Sequence, residues 1–218
     1  EVVRRALGSK LLAEPGTRHA YSNAGYMLLA AIVEAASGKE FEAFLEDHLF
    51  RPAGMEATGF PGPEWDRKAV APGEGREGEP YSGTPLDEPA SRGWYRRGAG
   101  GLLSTAEDLY RWARALEKGT VLSRASVRKL FTPHVPESED GASFYGYGWV
   151  VDKTTRGTKV NWHNGGWYSY YSELRLYPDE GVIAVLTANR RGEALEEAWF
   201  GMLRTLFSPP PSTMANRE

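Results

Sequence analysis

Cysteine is absent from the sequence, so disulfides and thiolate metal sites are excluded, and the redox compartment stays open. No apolar run reaches the ~18 residues that a membrane-crossing helix needs. An excess of one charge is missing too. With 26 basic and 29 acidic residues the net charge is −3, which leaves neither a basic footprint for nucleic acid nor a polybasic patch for a membrane surface. Histidine is scarce, and His19, His48, His134 and His163 show no metal-ligand spacing with one another or with nearby acids. No metal site and no cofactor are therefore expected. No internal repeat is visible. What remains is an ordinary globular composition, 41% hydrophobic and 25% charged, in a chain of 218 residues, long enough to bury a substantial core.

One stretch organises the rest. Pro15-Gly16 sets a tight turn, Tyr21-Ser22-Asn23 follows at its exit, and from Ala24 to Ala36 almost every residue is apolar or small. A helix that is apolar all round belongs in a core. The expectation is a buried helix from Ala24, stopping near Ser37-Gly38, with a phenol and an amide held at its mouth. Before it, Val2, Val3, Leu7, Leu11 and Leu12 suit a short amphipathic helix. After it, Glu40 to Phe50 reads as a second helix that must end before Pro52.

Between Gly59 and Trp94 proline and glycine accumulate and periodicity fades, so this is read as a long loop, with Ala69-Val70-Ala71 as a short edge strand. Ser104-Thr105-Ala106-Glu107 has the pattern of a capping box, opening a helix from about Thr105 to Glu117 with Leu109, Trp112, Ala113 and Leu116 inward. A shorter helix spans Ser123 to Phe131. Past Gly141 the pattern turns to strands: Tyr145 to Val151, Val160 to His163, an alternating Ser169 to Tyr177, and Val182 to Ala188. The last is continuously apolar, as a strand covered on both faces would be. Ala194 to Phe207 closes with an amphipathic helix, and Pro209 to Glu218 reads as a disordered tail. Helices, then antiparallel strands, then a helix make an α+β architecture, with residues 1–207 as one domain and 208–218 as tail.

Four motifs occur in order: Pro15-Gly16-Thr17 before Tyr21-Ser22-Asn23; Gly100-Gly101-Leu102-Leu103-Ser104-Thr105-Ala106-Glu107-Asp108-Leu109; Tyr147-Gly148-Trp149; and His163-Asn164-Gly165-Gly166. Together they resemble the serine β-lactamase, penicillin-binding-protein and esterase superfamily, in particular its class C-like, esterase branch. The resemblance covers about Glu1 to Phe207. It implies a β-lactamase/transpeptidase-like fold, an antiparallel sheet packed by helices, and a metal-free serine hydrolase working through an acyl-enzyme. It also implies that the loop from Gly59 to Trp94 overhangs the active-site cleft. In that superfamily a Ser-x-x-Lys, whose serine is the nucleophile, lies several dozen residues before the Tyr-x-Asn. Tyr21 leaves no room for it here, so the chain resembles a member truncated and incomplete at its N-terminus, and a leader peptide cannot be judged.

Acyl transfer needs a nucleophile, a base, and donors aimed at the oxyanion. Tyr21 is the candidate base; a free tyrosine titrates near 10, so it needs nearby cations or a relay. The alternative is a buried tyrosine making one hydrogen bond. Asn23 can hold a substrate amide or carbonyl and orient a lysine, or it can simply cap the helix behind it. His163 stands where lactam enzymes carry lysine and where many esterase and peptidase relatives carry histidine. Strand parity sets Asn161 and His163 opposite Val160 and Trp162. Gly165 and Gly166 admit a ligand close to the backbone. The resemblance makes the N–H of Gly166 one oxyanion donor, the second coming from the missing serine. A histidine largely neutral at pH 7 favours esters, amides or D-amino peptides over a carboxylate-bearing antibiotic. A purely structural strand histidine is the alternative. Relatives often have glycine where this chain has Ser169, which narrows the pocket. One Ser-x-x-Lys does occur, Ser126-Val127-Arg128-Lys129, but it follows the Tyr-x-Asn on a charged, solvated face and is rejected.

The expectation is thus the larger part of a serine hydrolase acting on small ester, amide or peptide substrates, inactive as this fragment, with no nucleic acid or membrane partner. The rival is a non-catalytic module of the same fold that binds peptides or cell-wall fragments. In a third arrangement an N-terminal companion supplies the serine in trans.

Overall fold

The structure is a computed structural model that describes residues 2–74, 83–87, 93–138 and 141–207. The expected tail at 208–218 lies outside them. The α+β expectation holds. Helices α1 (Val2–Leu7), α2 (Asn23–Ser37), α3 (Phe41–Leu45) and α4 (Arg51–Ala53) come first, followed by α5 (Ala106–Lys118) and α6 (Arg124–Leu130). Then come strands β1 (Val135–Pro136), β2 (Phe144–Tyr145), β3 (Val150–Lys153), β4 (Lys159–Trp167), β5 (Tyr170–Tyr177) and β6 (Val182–Ala188), and finally α7 (Glu193–Leu206). The six strands lie side by side in chain order, every neighbouring pair antiparallel.

The sheet is covered on both faces, and β6 shows how. Ile183 and Val185 pack with Leu174 and Leu176 against Ala113 and Leu116 of α5, while Val182, Ala184 and Leu186 face Trp199 and Leu203 of α7. A strand buried on two sides needs no polar alternation, which is why its sequence is continuously apolar. On β4, Val160 and Trp162 join the α7 side, and Asn161 and His163 pair with Leu176 and Leu174 on the α5 side, as parity requires.

Several local expectations are corrected. Helix α2 begins one residue early: Ser22, not Asn23, is its N-cap, its Oγ accepting the N–H of Gly25 at 3.0 Å. Nor is α2 buried all round. Ala30 is inside, but Leu29 is 51% and Ile32 59% exposed, because α1 and α3 pack against other sides of it. Helical backbone also runs past Pro52. Residues Glu46–Phe50 adopt the wider π register, and Met55 N–H reaches Phe50 O at 2.9 Å, so the proline ring escapes the clash that an α-helical turn would impose. Ala69 to Ala71 forms no strand; Asp66 gathers the N–H groups of Lys68 and Ala69 into a turn. The cap of α5 is Thr105, accepting from Asp108 N–H at 3.1 Å, rather than Ser104.

The strand expected over Tyr145–Val151 is two strands. Tyr145 pairs with Val150 and Phe144 with Val151, and Gly146 to Trp149 makes the turn between them. Gly146 N–H donates to Trp149 O at 2.7 Å, and a Cβ on Gly146 would stand 2.1 Å from Leu130 O, so only glycine lets the turn dock on α6.

Candidate active site

Tyr21 leaves the Pro-Gly turn just before α2 and is 60% exposed, its ring centroid 6.4 Å from that of His163 on β4. Tyr145 of β2 completes a triangle with them, edge-on to both rings at 6.3 and 6.1 Å. Its hydroxyl meets His163 Nε2 at 2.9 Å. His19 closes the group from the other side, 5.1 Å from the Tyr145 ring. Residues separated by more than 140 positions thus share one hollow, because the turn before α2 abuts the middle of β2 and β4. Burial pushes the His163 imidazole below its ordinary range, and burial beside two other phenols pushes Tyr145 well above the ordinary tyrosine range.

Gly165 and Gly166 follow on β4, paired with Ser172 and Tyr171. Open space lies where a Cβ on Gly165 would be. At Gly166 a Cβ would come within 2.9 Å of Arg191 Nη1, so the glycine makes room for a guanidinium that also rides 5.6 Å over the Tyr171 ring. Gly166 shares the parity of Trp162 and Asn164, so this guanidinium lies on the α7 side of the sheet, opposite the face that His163 presents. Asn23 lies exposed in the first turn of α2. Ser169 is buried in the two-residue turn between β4 and β5, where Tyr168 takes a φ of 49°. Ser126 sits on α6, its hydroxyl 3.0 Å from that of the cap residue Ser123.

The long loop does reach this end of the sheet. The Tyr170 hydroxyl donates to Ala71 O at 2.8 Å, Asn189 Nδ2 to Pro72 O at 2.8 Å, and Glu74 N–H to Asn189 O at 2.9 Å. From the other end of the loop Arg96 stacks on Trp167, 3.0 Å from the ring centroid. Residues 75–82 and 88–92 lie outside the described residues.

A beta-lactamase family profile matches residues 1–206. The chain belongs to that family. Penicillin-binding protein 4 of Amycolatopsis lactamdurans is 33% identical over 189 residues, covering 80% of this chain and 48% of that protein. The D-aminopeptidase of Brucella ovis is 25% identical over 198 residues, covering 90% of this chain and 36% of the relative. Among solved structures, the penicillin-binding protein from Bacillus halodurans superposes with a TM-score of 0.76 at 26% identity, over 94% of this chain and 63% of that one. The chain thus spans less than half the length of these curated relatives.

For a member of the beta-lactamase family the arrangement has clear chemical content. An exposed phenol and an imidazole share one hollow, and a glycine pair follows the imidazole on the same strand. Among the described residues no cluster of three or more His, Asp or Glu could hold a metal ion, and no helix is long and apolar enough to cross a membrane. Reading the sequence missed Tyr145. The pattern Tyr145-Gly146-Tyr147-Gly148-Trp149 was the available signal, since a tyrosine beside a glycine-bearing turn is rigidly placed.

Proposed function

We propose that residues 1–207 form, as one β-lactamase-like domain, the larger part of a serine hydrolase acting on esters, amides or D-amino peptides. The observation that carries this reading is the approach of Tyr21 to His163, 6.4 Å between ring centroids, on the strand that continues into Gly165 and Gly166. The named relatives fit the substrate class: one is a D-aminopeptidase, another a penicillin-binding protein.

In this mechanism a serine hydroxyl attacks the substrate carbonyl carbon, and its proton passes to Tyr21 acting as the phenolate, with the lysine of the nucleophile's Ser-x-x-Lys as the neighbouring cation. The carbonyl oxygen takes the negative charge, held by the N–H of Gly166 and a second N–H from the nucleophile's own residue. Collapse breaks the bond to the leaving alcohol or amine, which takes up the proton from Tyr21. Water then repeats the sequence on the acyl-enzyme. Asn23 holds the substrate's amide or carbonyl. His163 contributes a neutral polar wall. No Ser-x-x-Lys precedes Tyr21 within residues 1–20, so the nucleophile comes from polypeptide outside these 218 residues, preceding or companion, and the chain by itself is inactive.

A fluorophosphonate probe and p-nitrophenyl acetate test this. The 218-residue chain is expected to take no label and give no turnover. The product extended upstream to include a Ser-x-x-Lys is expected to label and hydrolyse, and Tyr21→Phe in it to lower kcat by roughly 10²–10⁴-fold. Turnover by the short chain that disappears in Ser126→Ala would overturn the assignment. Peptide binding by the extended product without any labelling would favour the non-catalytic module.

A further inference from the structure

Beyond Trp162 the strand β4 loses a neighbour. Its pairing with β3 runs from Lys159 to Trp162, so among the described residues His163 to Trp167 have a strand partner only on the β5 side. Within this stretch Gly165 and Gly166 have no side chain to pack, and glycine is the most permissive of backbones. A line of hydrogen bonds on the α7 face of the sheet holds the stretch from the side. Asn164 Nδ2 donates to Tyr171 Oη at 3.0 Å, and Tyr171 Oη donates to Glu173 Oε2 at 2.5 Å. The second carboxylate oxygen, Glu173 Oε1, accepts from Trp199 Nε1 of α7 at 2.9 Å and from Arg175 Nε.

Polarity along this line is set from its far end. The Glu173 carboxylate accepts, and the single Tyr171 proton goes to it, so toward Asn164 the phenol oxygen accepts in turn. That selects the NH2 end of the Asn164 amide and turns Oδ1 away. The two ends differ in freedom: Glu173 is buried and fixed by α7, whereas Asn164 is exposed. A cavity of about 180 Å³ lies between the sheet and α7, with Asn164, Tyr171, Glu173 and Trp199 on its wall. The amide therefore has room to swing, and its hydrogen bond rather than its packing keeps it in place.

We infer that Tyr171 is a positioning residue for the glycine pair: by holding the Asn164 amide to the buried Glu173, it pins β4 one residue before Gly165 and so fixes the direction of the Gly166 N–H. The tether acts where β3 no longer pairs and where glycine offers nothing to grip. Through Trp199 it also ties the site strand to α7, on the face of the sheet away from His163. The catalytic meaning of this placement rests on the acyl-transfer reading, but the tether belongs to the resting chain, so its test needs no turnover.

Nitrogen-relaxation NMR of the 218-residue chain reads the order of each backbone N–H. In the wild type Gly165 and Gly166 are expected in the rigid range, with order parameters near ~0.85. Tyr171→Phe keeps the ring and deletes the hydroxyl. It is expected to lower both glycines toward about 0.6, while Leu176 and Ile183, paired with each other farther along the sheet, stay as they were. Asn164→Ala is expected to reproduce the loss, and Tyr171→Phe added to it to change nothing further. In the product extended upstream to include a Ser-x-x-Lys, Tyr171→Phe is expected to lower kcat by roughly 10–10²-fold, with KM within about twofold of wild type. Glycines already disordered in the wild type overturn the inference, as do glycines equally ordered in Tyr171→Phe, an equal loss of order at Leu176 and Ile183, or two substitutions whose effects add. Should Tyr171→Phe fail to fold, Asn164→Ala, at an exposed position, decides by the same comparison. Glycines that lose order as expected in a chain whose extended product takes no fluorophosphonate label would uphold the tether and sink the acyl-transfer reading alone.

Discussion

At the scale of single residues, His163 shows how placement rather than identity decides chemistry. Histidine in water titrates near 6.5, but packing beside Tyr145 lowers the value in the fold, burial being the largest cause. Above 6.5 both folded and unfolded chains hold a neutral ring, and stability is unaffected. Between 6.5 and the lowered folded value the unfolded chain binds a proton that the folded chain refuses, so stability falls as pH falls through that window. The urea midpoint is therefore expected to drop as pH falls below about 6.5, and to drop less in His163→Gln. Asp108 and Glu180, whose carboxyls are held below their ordinary range, lose their contribution only at lower pH, so the two regimes separate. Equal pH dependence in wild type and His163→Gln would show that the imidazole is not what titrates. Tyr21 was legible as a site residue from its motif, whereas Tyr145 was not, because nothing local in a strand states which distant ring it will meet.

Elements are joined here by two buried carboxylates that periodicity passes over. Glu173 of β5 is fully buried, accepting from Tyr171 Oη at 2.5 Å and Trp199 Nε1 of α7 at 2.9 Å, and pairing with Arg175. Tyr171, pushed up to about 12 by burial, passes the connection on by accepting from Asn164 Nδ2 at 3.0 Å, one residue from the glycine pair. Asp108 of α5 does the equivalent work among the helices, accepting from Ala57 N–H and Thr58 Oγ1, each at 2.8 Å, and from Arg111. Their partners differ in exposure: the Arg175 side chain is 14% exposed and that of Arg111 39%. Removing the carboxylate strands Arg175 in a nearly dry site but leaves Arg111 in reach of water. Glu173→Ala is expected to cost about 3–5 kcal/mol, and Asp108→Ala about 1–3 kcal/mol, read from urea unfolding at neutral pH. The reverse order would mean that Arg175 rehydrates freely. The alternation of β5 sets Glu173 on the face opposite Leu174, and the motif sets Asp108 at the start of its helix. The sequence could not report burial, since an acid is expected in water unless a partner is known.

For the whole molecule, the feature that stands out is the apolar flank of α2, where Leu29 and Ile32 are each more than half exposed on a helix whose sequence is suited to a core. Apolar surface left open on a helix beside a cleft drives association. Sedimentation velocity is expected to show the 218-residue chain self-associating as concentration rises, and Leu29→Gln with Ile32→Gln to suppress this without changing the far-ultraviolet circular dichroism. A chain that stays monomeric throughout would show that this flank is too small or too curved to pair. The sequence by itself determined the fold class, the order of helices and strands, which face each strand presents, and the motifs that mark Tyr21, Asn23, His163, Gly165 and Gly166. These follow from periodicity and turn chemistry, which are local. Only the tertiary structure decided that the Tyr145–Val151 stretch folds back on itself, that helical backbone continues through Pro52, that α2 lies open on one side, that Tyr26 approaches Gly148, that Tyr145 meets His163, and that Arg191 lies over Gly166. Each of those depends on contacts between segments far apart in the chain: Gly146 docking against Leu130, Arg191 lying over Gly166, Tyr26 reaching across to Gly148. Long-range contacts are selected by packing the whole core at once, and no window of neighbouring residues carries that information.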